Sequence, residues 1–247
     1  GTTVMHEGFV NFNAGTLGVS GAVASAVSAT GNILLKTTAA SDIVINATVS
    51  SSGGDISLSS GRDVLQNYVD DYNAGHLTNT ANSKTIDVLA TNAITMADGA
   101  ITSTAATPGN IRYEATTGNI TLGQLNAGSA DVAVIATAGA IVDADTNNGN
   151  DITAAKLILL AGTAIGSNTN ALETDVGTIS SLSSNGGTFL TEANGLIVGK
   201  LSISANRVSS TPGSVGNVSA LTALVQEDLI TSGAGSALVV LTTAGSL

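Results

Sequence analysis

The stretch Gly118–Gly166 reads GNITLGQLNAGSADVAVIATAGAIVDADTNNGNDITAAKLILLAGTAIG. It contains short apolar alternations at Ile120/Leu122, Val132/Val134, Ile152 and Leu157/Leu159, separated by Gly, Asn, Asp, Ser and Ala. Apolar residues two apart share one face of a strand, and the flanking turn residues limit each run to strand length. The pattern then returns. Val132 and Leu157 are 25 residues apart, and Ile141 and Ile165 are 24 apart. Recurrence at about 20 to 30 residues is the mark of a solenoid, in which each turn buries its apolar face against the next.

The same phrase repeats upstream. GNILLKT (31–37), SDIVINA (41–47), GGDISLS (53–59) and GRDVLQN (61–67) each open with Gly or Ser near an Asn or Asp and continue apolar–x–apolar. Ile33 and Ile56 are 23 apart, Ile43 and Val64 are 21 apart, Ile86 and Ile111 are 25 apart, and Ile94 and Ile120 are 26 apart. At the corners, Gly or Asn is expected to supply a positive φ. Asp or Asn is expected to bond its own neighbouring backbone. Downstream, GTISSL (177–182), GTFLTEANGLIVG (187–199) and GKLSISA (199–205) read as further rungs. Residues 1–30 are more weakly patterned and read as an N-terminal strand or irregular first rungs. Residues 31–247 read as the solenoid, with an excursion loop at 66–83 (QNYVDDYNAGHLTNTANS). At about 22 residues per turn the chain supplies about 11 rungs. A β-sandwich or jelly roll is also built from short strands with turn signals. The 21–26-residue recurrence favours coils over that alternative.

Composition agrees with thin layers. Hydrophobic residues make up 43% of the 247, but aromatics only 2%, so the interior must be built from Ile, Leu, Val and Ala. The net charge is −11, and the seven Lys and Arg are scattered singly. With no basic patch and no aromatic platform, the sequence argues against nucleic acid as a partner. It also argues against attraction to an anionic membrane surface. The apolar runs fall short of the roughly 20 residues a membrane-spanning helix needs, so direct insertion is not expected. There is no cysteine, which removes disulfides and thiolate metal sites. Gly1 is not an initiator, and the sequence reads as a piece of a longer or processed chain.

Four segments together carry a family resemblance: GNITLGQLNAGSADVAVIATAGAIVDAD (118–145), GNDITAAKLILLAGTAIG (149–166), NALETDVGTIS (170–180) and GGTFLTEANGLIVGKL (186–201). They resemble the repeat regions of filamentous-haemagglutinin-like exoproteins, very large bacterial surface or secreted proteins, many exported by two-partner secretion. The resemblance implies an all-β, right-handed parallel β-helix and an extracellular or cell-surface location. It implies a role as adhesin or filament and no catalytic residue. The secretion domain found at the N-terminus of that family is not seen in this sequence. The implied partners are further solenoid rungs of the same chain or identical subunits end to end, together with host or cell-surface glycans or proteins. Two other readings are a self-assembling subunit that stacks through uncapped rungs and a polysaccharide-active β-helix enzyme. An enzyme of that kind needs clustered carboxylates and an Arg or Lys base in one groove. Arg112 and Glu114 share a strand face without a third partner, which is the pattern of a solvated pair.

No cofactor is expected except, as a candidate, calcium. Asp143, Asp145, Asn147 and Asp151 offer oxygens at alternate positions, as a calcium loop would. The match to an EF-hand loop is partial, because Asn148 and Ala154 stand where glycine and glutamate belong. Glu173 and Asp175 form a second acidic corner. Tyr68, Tyr72 and His76 lie in the excursion loop and form a candidate adhesive site, in which the tyrosines, with Tyr113, would stack on a sugar ring. His6 and His76 are isolated from one another in sequence and read as surface residues.

Overall fold

The structure is a computed structural model that describes residues 3–5, 8–12, 16–19, 27–38, 40–70, 74–104, 109–147, 149–211 and 214–247. Among these residues every regular element is a β-strand. Most strands stack in parallel, in register, into three columns. In the first column Ile33, Ile56, Ile86, Ile111, Val132, Leu157 and Ile179 lie one above the next. The second stacks Leu17, Ile43, Val64, Ile94, Ile120 and Ile141. Isolated bridges extend it through Ile165 to Thr188. The third runs from Val27 through Val49, Leu77, Thr102, Leu125 and Ile152 to Thr174. Each coil visits the three columns in turn, so the molecule is a parallel β-solenoid. N-terminal strands Gly8–Phe12 and Leu17–Val19 already lie in the ladders.

The alternation seen in the sequence decides which side chains face in. In Ile86–Ala90, for example, Ile86, Val88 and Ala90 are fully buried in the interior. Parallel ladders put each such residue on its counterpart in the neighbouring coil, so apolar stacks on apolar along most of the core. The interior also holds Gln66, Thr102 and Tyr113 from the three different columns. Tyr113 donates its hydroxyl proton to Gln66 Oε1 at 2.5 Å. Gln66 Nε2 donates to Thr102 Oγ1 at 3.2 Å and to Gly75 O at 2.9 Å. The Thr102 hydroxyl, 2.6 Å from the Tyr113 oxygen, closes the ring as donor, because the tyrosine proton is already committed. Tyr113 therefore lies fully buried and out of reach of a sugar, in contrast to the role the sequence suggested for it.

Two expectations about the corners hold at some positions and not at others. A Cβ on Gly139 would lie 2.1 Å from Gly118 O of the preceding coil, and one on Gly54 would lie 2.1 Å from Asn32 N. Neither of these glycines has a positive φ, although the corner glycines Gly128 and Gly166 do, as expected. At Gly54 and Gly139 glycine is required because backbone stacks on backbone. Some Asx side chains bond their own neighbourhood as expected, as Asn126 Oδ1 does in accepting from Gly128 N at 3.1 Å, while others reach the next coil. Asn32 Oδ1 accepts from Asp55 N at 2.8 Å, Asp63 Oδ1 from Ala93 N at 2.9 Å, and Asn119 Oδ1 from Ala140 N at 2.9 Å.

The rung count is also corrected. The second column is a six-stranded sheet, which marks about six turns in place of the 11 expected. One reason is coil length. Ile56 and Ile86 are register partners 30 residues apart, so the excursion lengthens that coil. Within the 66–83 stretch Leu77–Asn79 is itself a ladder strand. The other reason is a segment that leaves the stack. Leu201–Ile203 pairs antiparallel with Leu224–Gln226, and Asn206–Thr211 pairs antiparallel with Ser214–Ala220. This return segment lies on the outer face of the first column. Leu201 and Ile203 pack on outward-facing Ala133 and Ile158, and Val208 N donates to Ser57 Oγ at 2.9 Å. Asp87 is fully buried beneath the segment, where Arg207 Nε meets its Oδ2 at 2.5 Å and Arg112 Nη1 meets its Oδ1 at 3.2 Å.

Candidate functional site

The acidic loop between strands Ile141–Asp143 and Ile152–Ala161 is folded by its own side chains. Asp143 is the inward-facing last residue of its strand, in register with Leu122. Asp145 N donates to Asp143 Oδ1 at 2.9 Å, Asn147 N to Asp145 Oδ1 at 2.7 Å, and Gly149 N to Asn147 Oδ1 at 2.6 Å. These short-range bonds curl the loop so that Asp151 returns to Asp143 and Asp145. One carboxylate oxygen from each of the three lies within 4.8 Å of the others.

The next coil adds a fourth carboxylate. Ile152 and Thr174 are register partners, so the preceding residues, Asp151 and Glu173, also stack. Glu173 N donates to Asp151 Oδ2 at 2.9 Å. Asp143, Asp151 and Glu173 are 5%, 3% and 7% exposed. Asp143 Oδ2 and Glu173 Oε2 are buried with no hydrogen-bond partner. Burial pushes all three carboxyls above the usual carboxylate range. The negative charges of Asp143 and Glu173 push Asp151 the same way, while the bond from Glu173 N works against the shift. Among the described residues no ion pair involves Asp143, Asp145, Asp151 or Glu173. A cavity of about 240 Å³ borders the loop, lined in part by Asp98, Gln124, Asp145, Asn147 and Asp151.

The structure thus brings together Asp143, Asp145 and Asp151 from the sequence-derived set. Asn147 lies on the exposed part of the loop, with its side-chain oxygen occupied by Gly149 N. Glu173, assigned from sequence to a separate corner with Asp175, instead stacks on Asp151 at the edge of the first cluster, outside the three carboxylates that lie within 4.8 Å of one another. Its 22-residue offset from Asp151 is one coil, and that spacing was the available signal. Asp175 instead accepts from Asn194 Nδ2 at 2.5 Å.

At the excursion loop, the rings of Tyr68 and His76 lie 6.1 Å apart at 37°. His76 is half-buried, and its Nδ1 accepts from Ile101 N at 3.0 Å, tying the loop to the coil behind it. Tyr68 packs partly against the core. Tyr72 lies outside the described residues, as does His6. Arg112 is held between Asp87 and Glu114, its Nη2 2.5 Å from Glu114 Oε2.

No protein-family model matches the chain, and no curated protein or solved structure matches it.

Proposed function

We propose that the chain is a structural and adhesive segment of an extracellular bacterial filament or surface adhesin of the filamentous-haemagglutinin-like kind. Its work in this reading is mechanical and multivalent. Parallel ladders run through successive coils and stiffen the segment, while partly exposed groups such as Tyr68 and His76 offer weak contacts to cell-surface glycans or proteins. Repetition along a filament would add those contacts through avidity. No catalysis is assigned to the chain.

The observation that carries this reading is the strand Leu238–Thr242. It continues a solenoid column by pairing in parallel with Thr188–Glu192, yet leaves Leu238, Val239 and Leu241 47%, 47% and 58% exposed. A flat apolar edge strand is a template for another strand. A further rung, from the same chain or from an identical subunit, would bury it.

The test is sedimentation velocity and negative-stain electron microscopy across a concentration series, for the chain and for a Leu238→Lys/Leu241→Lys variant. The reading expects end-to-end oligomers that lengthen with concentration and are lost in the variant. A chain that stays monomeric at every concentration while these residues remain exposed argues against assembly through this edge. Assembly that survives the double substitution places the contact elsewhere.

A further inference from the structure

We propose that Asp143, Asp145, Asp151 and Glu173 together bind one calcium ion, which ties two successive coils of the solenoid. This inference stands apart from the filament reading. The sequence pointed to a single loop. The geometry points to a site shared between that loop and the coil stacked next to it.

The argument begins with stacking. In-register parallel strands place equivalent residues about 4.8 Å apart. For Ile on Ile that is favourable. For Asp151 beneath Glu173 it sets two carboxylates against each other, and like charges directly opposite are destabilising. Both are more than nine-tenths buried, so water screens them little. Asp143, equally buried, and Asp145 bring further carboxylates to the same place. Elsewhere Asp42, which stacks on Asp63, has Arg62 beside both carboxylates, and buried Asp87 has two guanidiniums. At the 143–173 cluster no ion pair plays that part among the described residues.

A second, independent observation points to a ligand. Asp143 Oδ2 and Glu173 Oε2 are buried and have no hydrogen-bond partner. A buried, unpartnered carboxylate oxygen carries its full desolvation penalty. Asp143 Oδ2 stands among the three clustered carboxylates and Glu173 Oε2 on the coil stacked against Asp151, an arrangement that a cation drawing the two coils together would satisfy. The donors are all oxygens, with no imidazole or thiolate in the cluster. That chemistry selects a hard cation. Calcium accepts irregular sets of six to eight oxygens, and the loop's backbone and water from the adjoining cavity can complete the number. Magnesium demands near-ideal octahedral geometry and gives up its water reluctantly, so it is the weaker ligand here.

The test uses the full chain, stripped with EGTA and exchanged into metal-free buffer at pH 7.5. Calcium chloride alone is titrated by calorimetry, and thermal unfolding is followed by circular dichroism with and without the ion. The expected result is one calcium per chain, a raised unfolding midpoint, and magnesium binding weaker by about tenfold or more. Glu173→Gln and Asp151→Asn should each weaken calcium by about tenfold or more, because ligand charge sets affinity at such sites. In EGTA the same variants should unfold at or above the wild-type temperature, since each removes repulsion. A residue acting only as a structural hydrogen-bond partner would lower the midpoint under both conditions. The proposal is overturned if millimolar calcium neither binds nor moves the wild-type midpoint, as it would be if protons neutralise the cluster instead. It is also overturned if Glu173→Gln binds calcium as tightly as wild type, which would return the site to the loop alone. Should the buried variants fail to fold, Asp145→Asn, on the more accessible side, and the wild-type titration still decide the question.

Discussion

Replacing Tyr113 with Phe tests whether the solenoid interior is held by a closed polar ring. The phenol is fully buried, and its hydroxyl donates to Gln66 Oε1 while accepting from Thr102. Gln66 is otherwise satisfied, with Nε2 donating to Gly75 O and to Thr102 Oγ1. Removing the hydroxyl leaves the ring packing almost unchanged but strips Gln66 Oε1 of its donor, in a place water does not reach. Leaving one buried partner unpaired costs about 1–3 kcal/mol. With a urea slope of about 2–3 kcal/mol per molar, the midpoint should fall by about 0.3–1.5 M.

The control is a double-mutant cycle with Gln66→Met. The choice follows the register, since Met96 already occupies the equivalent place one coil on. Once the amide is gone, the tyrosine hydroxyl has lost its acceptor, and Tyr113→Phe should cost less than about 1 kcal/mol in that background. The coupling between the two changes then falls in the range of about 0.5–3 kcal/mol typical of contacting groups. Urea unfolding followed by far-ultraviolet circular dichroism measures all four proteins. Equal costs of Tyr113→Phe in both backgrounds would refute the ring and leave the three residues as independent neighbours.

The corner glycines and one buried acid give two further tests. Gly139→Ala drives a methyl to 2.1 Å from Gly118 O, and overpacking of backbone on backbone should cost about 1–3 kcal/mol or more. Gly199→Ala meets nothing nearer than Thr178 Cγ2 at 3.8 Å and should stay within about 0.5 kcal/mol of wild type by the same urea assay. Glu192 is fully buried, and burial pushes its carboxyl above the ordinary value of 4.5 despite bonds from Thr174 Oγ1, Val176 N and Asn194 N. A raised native pKa means the folded chain holds this proton more tightly than the unfolded one. Its contribution is therefore present in full below the unfolded value and lost as pH rises through the native one. Glu192→Gln keeps the same acceptor for the two amides, so it should match wild type near pH 4 and exceed it near pH 8. A variant that is less stable at pH 8 would show that the hydrogen bonds outweigh the burial.

The coil spacing was legible because the interior asks the same thing of every turn. All six recurrences read from the sequence prove to be register partners: Ile33/Ile56, Ile43/Val64, Ile86/Ile111, Ile94/Ile120, Val132/Leu157 and Ile141/Ile165. The return segment was not legible from that rule. GKLSISA alternates as a rung does, and alternation does not say whether a strand pairs with the next coil or folds back. The signal lay elsewhere, on the strands it covers. Leu34, Ala133 and Ile158 face outward yet are buried, and a strand apolar on both faces has both faces covered. The runs ILL, VAVI and LILL carried that message. The cross-coil bonds were hidden for a related reason. Asn119 and Ala140 are 21 residues apart, and local turn chemistry cannot see a partner at that distance.

Stacking in register multiplies whatever the sequence places at one position of the coil, and the sign of the result depends on the residue. Isoleucine on isoleucine makes the core. An Asx oxygen at a corner, with a backbone N–H above it, makes a ladder that joins coil to coil. A buried carboxylate makes a charge that must be offset, and the fold offers two ways to live with it. At Asp87 the chain brings two guanidiniums, one from the neighbouring rung and one from a segment 120 residues away, and the acid becomes the anchor of the return segment. At Asp151 and Glu173 two buried oxygens stand without a hydrogen bond and no ion pair forms among the described residues. The two places share a physical problem and differ in its solution. If the second solution is a cation, stiffness along this part of the rod depends on calcium in the surrounding medium, whereas the part clasped by Arg207 is stiff without it.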